Sequence, residues 1–529
     1  MKPNTSALLT LIAASMFGAL ACNDRAEVFD QEPVASSPVL ALKNEIVIVD
    51  SSANRGVILA PHAGQDLERI SLPIGHGVVG TATAADGKRA FILSAGDVPR
   101  TKEKNEKPAL TIIENNAARR IEIESPHTGI AIDPLGRYVA VFASGQARAQ
   151  STFLENPNEI VLVDLEAPGA PKVTYRTLRS FGGSPARVTF SPVLALPTAP
   201  RRLLVVETEQ DVTLLDLDHA GDSVQIPEIT VRLTSGSSTT PLVPAEVIFD
   251  DGDAASTVDA RIAVRLKNDS NVVTLTLGPS EAGSPNDFRP TVNLTDVGGV
   301  ATDIAFVRTD AGLRLAALVP QTKSAVLVEP NAGSTVKVEL PAPYAALSSI
   351  TSAVPSAEGD VVLLYSGSNA SVAFWSLGHV VGQPYRSLEV VSLPGSAVSG
   401  VLDVPAPHAT LKVLQAGSSF FVLDLVARTA SPLVAYGVPS IHIAPDGNRL
   451  WAFGARTSDL AVVSFDTLAP KSLPLDHAIT SVFDLEREGG RSLVALDAEG
   501  NYTATVIDAN APDTLLSHTY SSLLLEGLP

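Results

Sequence analysis

The sequence predicts an all-β fold assembled from about ten copies of one four-stranded antiparallel unit, and three observations predict it. A hairpin phrase recurs along the chain, a short apolar strand phrase follows each hairpin, and helical spacing of apolar residues never persists beyond about two turns.

The hairpin phrase is an alternating apolar strand, a turn with Gly or Pro, and a second apolar strand. Its clearest copies occupy residues 81–96, 129–145, 303–319, 350–367 and 441–454, with looser copies at 188–206, 246–266, 401–415 and 481–496. Gly87, Gly136, Gly312, Gly359 and Gly447 fall at the loops, where a residue without Cβ enters positive φ at least cost. The second phrase is a β-branched or Leu run closing on an acidic or small polar residue. It ends at Asp50, Glu114, Asp164, Asp216, Thr276, Glu329, Ser376, Asp424, Asp466 and Asp508, with closing residues 42 to 64 apart. Read as third strands, these ten runs complete units of blade size.

A four-stranded sheet of this composition has two apolar faces and buries both only by stacking on neighbours. Stacking around an axis removes the open ends, so the expected architecture is a β-propeller of four-stranded antiparallel blades over residues 39–529. A single ring of seven to ten blades is expected, with a split into two rings as the alternative. The C-terminal run SSLLLEGL (521–528) is expected to pair beside VLAL (39–42) and EIVIVD (45–50) and so complete the first blade.

The phrases IAIDPLGRYVAVF with IVLVDL (130–142, 160–165) and IHIAPDGNRLWAF with LAVVSFD (441–453, 460–466) resemble the YVTN, lactonase-like and WD40-like propeller group. The resemblance spans roughly residues 39–529 and carries a folding signature without chemistry. The Trp-Asp dipeptide of true WD40 repeats is missing.

The N-terminus sets the expected address. Lys2 precedes an apolar run over residues 7–21, too short to span a bilayer stably, which reads as a signal-peptide core. The run ends in Ala19, Leu20 and Ala21 before Cys22, the single cysteine of the chain. This resembles the bacterial lipobox, with Ala19 where that family usually has Leu. The resemblance implies cleavage after residue 21 and lipidation of Cys22; ordinary signal-peptidase cleavage after Ala21 is the alternative. Residues 22–38 are polar, acidic and Pro-containing, as a flexible tether would be. Asn23 after the lipidated cysteine, where an inner-membrane retention signal has Asp, points to the outer membrane.

Without residues 1–21 the chain keeps 37 Lys and Arg against 57 Asp and Glu, a net charge of −20. Such a surface repels phosphate backbones, and no basic stripe offsets it, so nucleic acid is excluded as a partner.

Candidate chemistry is sparse. The nine histidines keep no common offset from the hairpin glycines, so no metal ring is expected, and no cofactor is implied. Residues just before the inner strands are where a propeller presents its central mouth, which selects His76, His127, Arg187, Glu246 and Asp303 as ligand-facing. No catalytic residue is assigned. The carboxylates of FDDGDAAS (Asp250, Asp251, Asp253) read as a solvated turn and Ser184 of GGSPA as a linker serine. Arg100, Lys102, Lys104 and Lys107 make a basic loop on an acidic protein.

Three functions remain in play. A lipid-anchored, non-enzymatic binding or scaffold module for an envelope protein or polysaccharide predicts an exposed apolar patch on one ring face. A lactonase-like hydrolase predicts at least three ionisable groups converging at the mouth with shifted pKa values. A quinoprotein-like redox enzyme is disfavoured by two tryptophans and no repeated Trp motif.

Overall fold

The computed structural model describes residues 38–524, apart from 99–101, 145–155, 182, 197–198, 219–226, 235–241, 253–258, 279–288, 357–358, 379–384, 386, 396, 434–439, 455 and 500–501. Cys22, most of the tether, Arg100, Asp253, His219 and His379 lie outside the described residues.

Ten four-stranded antiparallel sheets form in chain order, each from consecutive strands. Blades 1 to 10 occupy residues 39–73, 78–122, 129–177, 187–232, 244–296, 303–339, 346–392, 398–433, 440–479 and 481–520. The other regular elements among the described residues are three short 3-10 turns, and no described helix is long and apolar enough to cross a membrane.

Continuous apolar runs form the second and third strands because both faces of each blade are covered. In blade 3 the second strand Tyr138–Phe142 is buried throughout. Its alternate residues Val139 and Val141 join a cluster with Phe91 and Leu110 of blade 2. Tyr138, Ala140 and Phe142 face Val188, Leu204 and Val206 of blade 4. A side-chain period of two thus feeds two seams from one strand. Ten such clusters occur, one for each pair of successive blades and one joining blade 10 to blade 1. The chain is therefore a single closed ring of ten blades, at the upper end of the expected range.

The hairpin phrases become the first and second strands of blades 2 to 10 except in blade 7, where the phrase at 350–367 holds only the second strand and the first, Ala346–Ser349, lies just before it; all five loop glycines have positive φ. Gly447 also meets the preceding blade: a Cβ there would lie 2.3 Å from the Pro405 carbonyl oxygen. The acidic closing residues cap the turn that follows. Asp164, Asp424 and Asp508 accept from the backbone N–H two residues on, and Asp164 also pairs with Arg137 at the start of the second strand, 3.1 Å away.

Two expectations are corrected. EIVIVD is the second strand of blade 1, because Arg55–Pro61 supplies the third and Leu67–Pro73 the fourth. That shift of one strand produces the long 64-residue first spacing. Blade 1 is thereby complete without the C-terminus, and residues 521–524 form no strand. Leu523 and Leu524 instead wedge into the apolar seam of blades 10 and 1, with Ile46, Leu59, Val494 and Tyr502. Arg55 donates to the Leu524 carbonyl, and the Leu67 N–H donates to the Tyr520 hydroxyl at 3.1 Å. Closure is by packing rather than by a shared blade.

Candidate functional site at the channel mouth

First strands of neighbouring blades approach one another around the axis, and the crossover from each fourth strand returns the chain to the same end. All first strands therefore start at one mouth, where second strands finish. Channel walls are built from small or apolar inner strands such as GIAI (Gly129–Ile132), ALSS (Ala346–Ser349) and SIHI (Ser440–Ile443), mostly half-buried. Charge collects at the mouth over blades 4 to 6.

Arg187 opens the inner strand of blade 4 and lies directly across from Glu207, the last residue of the second strand. In blade 5 the signs reverse: Glu246, placed by a bulge after Pro244, lies across from Arg265. Asp303 opens the inner strand of blade 6. Opposite charges in register attract across the strands. Arg265 Nε donates to Glu246 Oε2 at 2.8 Å, and Arg187 Nε stands 4.0 Å from Glu207 Oε1.

The same side chains stitch blades together. Arg187 Nη1 donates to the Ala245 carbonyl at 2.8 Å, and Arg265 Nη1 to the Ala301 carbonyl at 3.4 Å. Asp303 Oδ2 accepts from the Leu347 N–H of blade 7 at 2.8 Å, while Oδ1 accepts from the Ile304 N–H at 2.9 Å.

Burial decides the electrostatics. The Glu207 side chain is 3% exposed and no hydrogen-bond donor reaches its Oε1. Desolvation raises its pKa, Arg187 and Arg265 oppose the rise, and Glu246 adds to it. Burial likewise pushes the Asp303 carboxyl up to about 6 against the two N–H bonds it accepts, with Glu246 adding and Arg265 opposing. Three carboxylates and two guanidinium groups thus share one sector, carboxylates outnumber cations, and Glu207 Oε1 is the carboxylate oxygen left buried without a donor.

Three of the five predicted mouth residues, Arg187, Glu246 and Asp303, are brought into this cluster. His76 and His127 belong to local networks in blades 2 and 3. His76 Nδ1 lies 2.9 Å from Asp97 and Nε2 3.2 Å from Glu106, so it pins the loop carrying Lys102, Lys104 and Lys107. The hydrogen bond from His76 is the largest influence holding the Asp97 carboxyl down at about 2. His127 is buried, 3.3 Å from Glu159. Asp250 pairs with Arg261 at 3.2 Å, and Ser184 lies in the loop before blade 4.

Glu207 and Arg265 escaped the sequence reading. Their signal is a charge at or next to the end of an apolar second strand, in LLVVE and RIAVRL, opposite a charge at or near the start of the first strand. A second network also went unread: Trp451 Nε1 and Arg491 Nε both donate to Asp484, at 3.2 and 2.6 Å, beside the half-buried His442, whose pKa desolvation lowers. Among the described residues no group of three or more His, Cys, Asp or Glu is placed to hold a metal ion. Exposed large apolar residues among the described ones are spread over the blades: Val79 lies on an inner strand, and Leu135, Phe181 and Val426 in turns and loops. Exposed Val292, Leu294, Val336 and Val390 lie on the outermost strands of blades 5 to 7, along the rim.

No protein-family model matches the chain, and no curated protein matches it. Solved structures do. Apo AztD from Citrobacter koseri is similar at 12% identity, covering 74% of this chain and 95% of its own, with a TM-score of 0.31. The WD40 domain of SCAP from fission yeast is similar at 11% identity, covering 82% and 96%, with a TM-score of 0.36. A functionally unknown protein from Desulfotomaculum acetoxidans DSM 771 is similar at 12% identity, covering 57% and 84%, with a TM-score of 0.28.

Proposed function

We propose that this ten-bladed ring is a lipid-anchored binding or scaffold module of the cell envelope, of the outer membrane in particular, that holds another envelope protein or a polysaccharide at its channel mouth. The observation that carries the reading is the stitched mouth over blades 4 to 7, where side chains of each blade bond to the backbone of the next. A surface held rigid before contact loses little entropy on binding, which suits a docking platform. The anchor rests on the apolar run ending at Cys22. Cross-linking of the membrane-attached protein in its native cells, followed by mass spectrometry, tests the reading. Stoichiometric recovery of a few envelope components supports it, and recovery of nothing specific counts against it.

A lactonase-like hydrolase at the same mouth is the second reading, favoured by Asp303, a carboxyl held near neutrality in the same cluster as the Arg-paired Glu246. Lactone turnover by the wild-type protein that disappears in Asp303→Asn would transfer the assignment to it.

A further inference from the structure

The charge cluster at the mouth is incomplete in a specific way. Two guanidinium groups serve three carboxylates, and each guanidinium also spends a nitrogen on a neighbouring carbonyl. Glu207 Oε1 is buried without a hydrogen-bond donor, and its nearest cation is Arg187 Nε at 4.0 Å. Arg187 itself is about half exposed, and the bond from its Nη1 to the Ala245 carbonyl is the contact it gives up on moving outward. A buried acceptor without a donor, as Glu207 Oε1 is, gains from any group that brings both positive charge and N–H. The net charge of −20 draws cations towards the ring.

We propose that the mouth over blades 4 to 6 is a binding site for an alkylammonium or guanidinium group, which Glu207, Glu246 and Asp303 receive as Arg187 gives way. The inference deepens the binding reading and rests on it for the claim that a partner meets this mouth. Lysine or arginine side chains of a partner protein and free polyamines share this chemistry.

The test is calorimetric titration of the detergent-solubilised full chain with cadaverine, with the blocked tripeptide Gly-Lys-Gly, and with Gly-Ser-Gly as the neutral control. Saturable binding of the two cationic probes is expected, weakened about tenfold or more by Glu246→Gln and by Asp303→Asn. Arg187→Gln, which removes the internal competitor, is expected to tighten binding about threefold. A purely structural role for these residues does not produce that opposite sign. Glu166→Gln, on an exposed turn at the far end of the ring, removes the same charge and is expected to leave binding within about twofold. Tighter cadaverine identifies a free amine as the source, and tighter tripeptide a protein side chain. Equal effects of all four substitutions, or no saturation, overturn the inference. If the probes bind as expected but no partner is captured in cells, the scaffold reading fails and the cation site stands. If a partner is captured but the probes do not bind, the reverse holds.

Discussion

Asp303 makes the stability of the ring depend on pH in a direction opposite to that of most carboxylates. Its folded-state pKa is raised from 3.8 to about 6, chiefly by burial. Below the unfolded value both states hold the proton, and the group contributes nothing unfavourable. As pH rises between 3.8 and about 6, the unfolded chain releases the proton first, so unfolding gains and stability falls. A shift of about two units corresponds to about 3 kcal/mol at most, and partial exposure of the side chain reduces this to roughly 1–2 kcal/mol. Asp303→Asn removes the titration. Its single carbonyl can keep only one of the bonds from Ile304 and Leu347, a pH-independent cost of about 1 kcal/mol. The assay is denaturant unfolding of both proteins at about pH 4 and about pH 7.5. The wild type should lose roughly 1–2 kcal/mol more than Asp303→Asn between those conditions. A wild-type-minus-variant difference that stays constant with pH would refute the reasoning.

Further predictions follow from the turns, the seam and the leader. Gly447→Ala combines positive φ with a Cβ 2.3 Å from a backbone carbonyl, and should cost about 2–3 kcal/mol by thermal unfolding. Gly312→Ala has positive φ but open space around it, and should cost about 1 kcal/mol. Replacing Leu523 and Leu524 together by Ala should destabilise the protein by roughly 4 kcal/mol and raise hydrogen exchange first in blades 1 and 10, whose seam they fill. Cys22→Ser should leave the membrane fraction and lose the mass of the lipid; a variant that still fractionates with membranes contradicts the anchor.

Much of the fold is legible in the sequence because each blade is covered on both faces. Runs such as YVAVF and IVLV must be apolar at every position, and Gly87, Gly136 and Gly447 mark turns whose positive φ admits few alternatives. Blade 1 is misread for a physical reason. Its EIVIVD carries the same pattern as a third strand, and only the following RGVILAP, one turn later, shows that the acidic end belongs to strand two. The C-terminal leucines are apolar for packing against a seam, a requirement that composition alone does not distinguish from strand pairing. Three of the five mouth residues converge because the start of an inner strand is a topological position. Glu207 and Arg265 require strand register, which joins residues about twenty apart and is set by the hairpin loops.

The most direct test of the account places a photo-cross-linking amino acid at one position at a time in the membrane-attached protein. Val79 and Ser399 stand exposed on inner strands beside the mouth, Leu135 on a turn at the far end and Val292 on the outer rim. The account predicts that Val79 and Ser399 capture one common envelope partner on illumination while Leu135 and Val292 capture none. Capture of that partner from Val292 or Leu135, with the mouth positions silent, would contradict the assignment of the mouth as the binding surface.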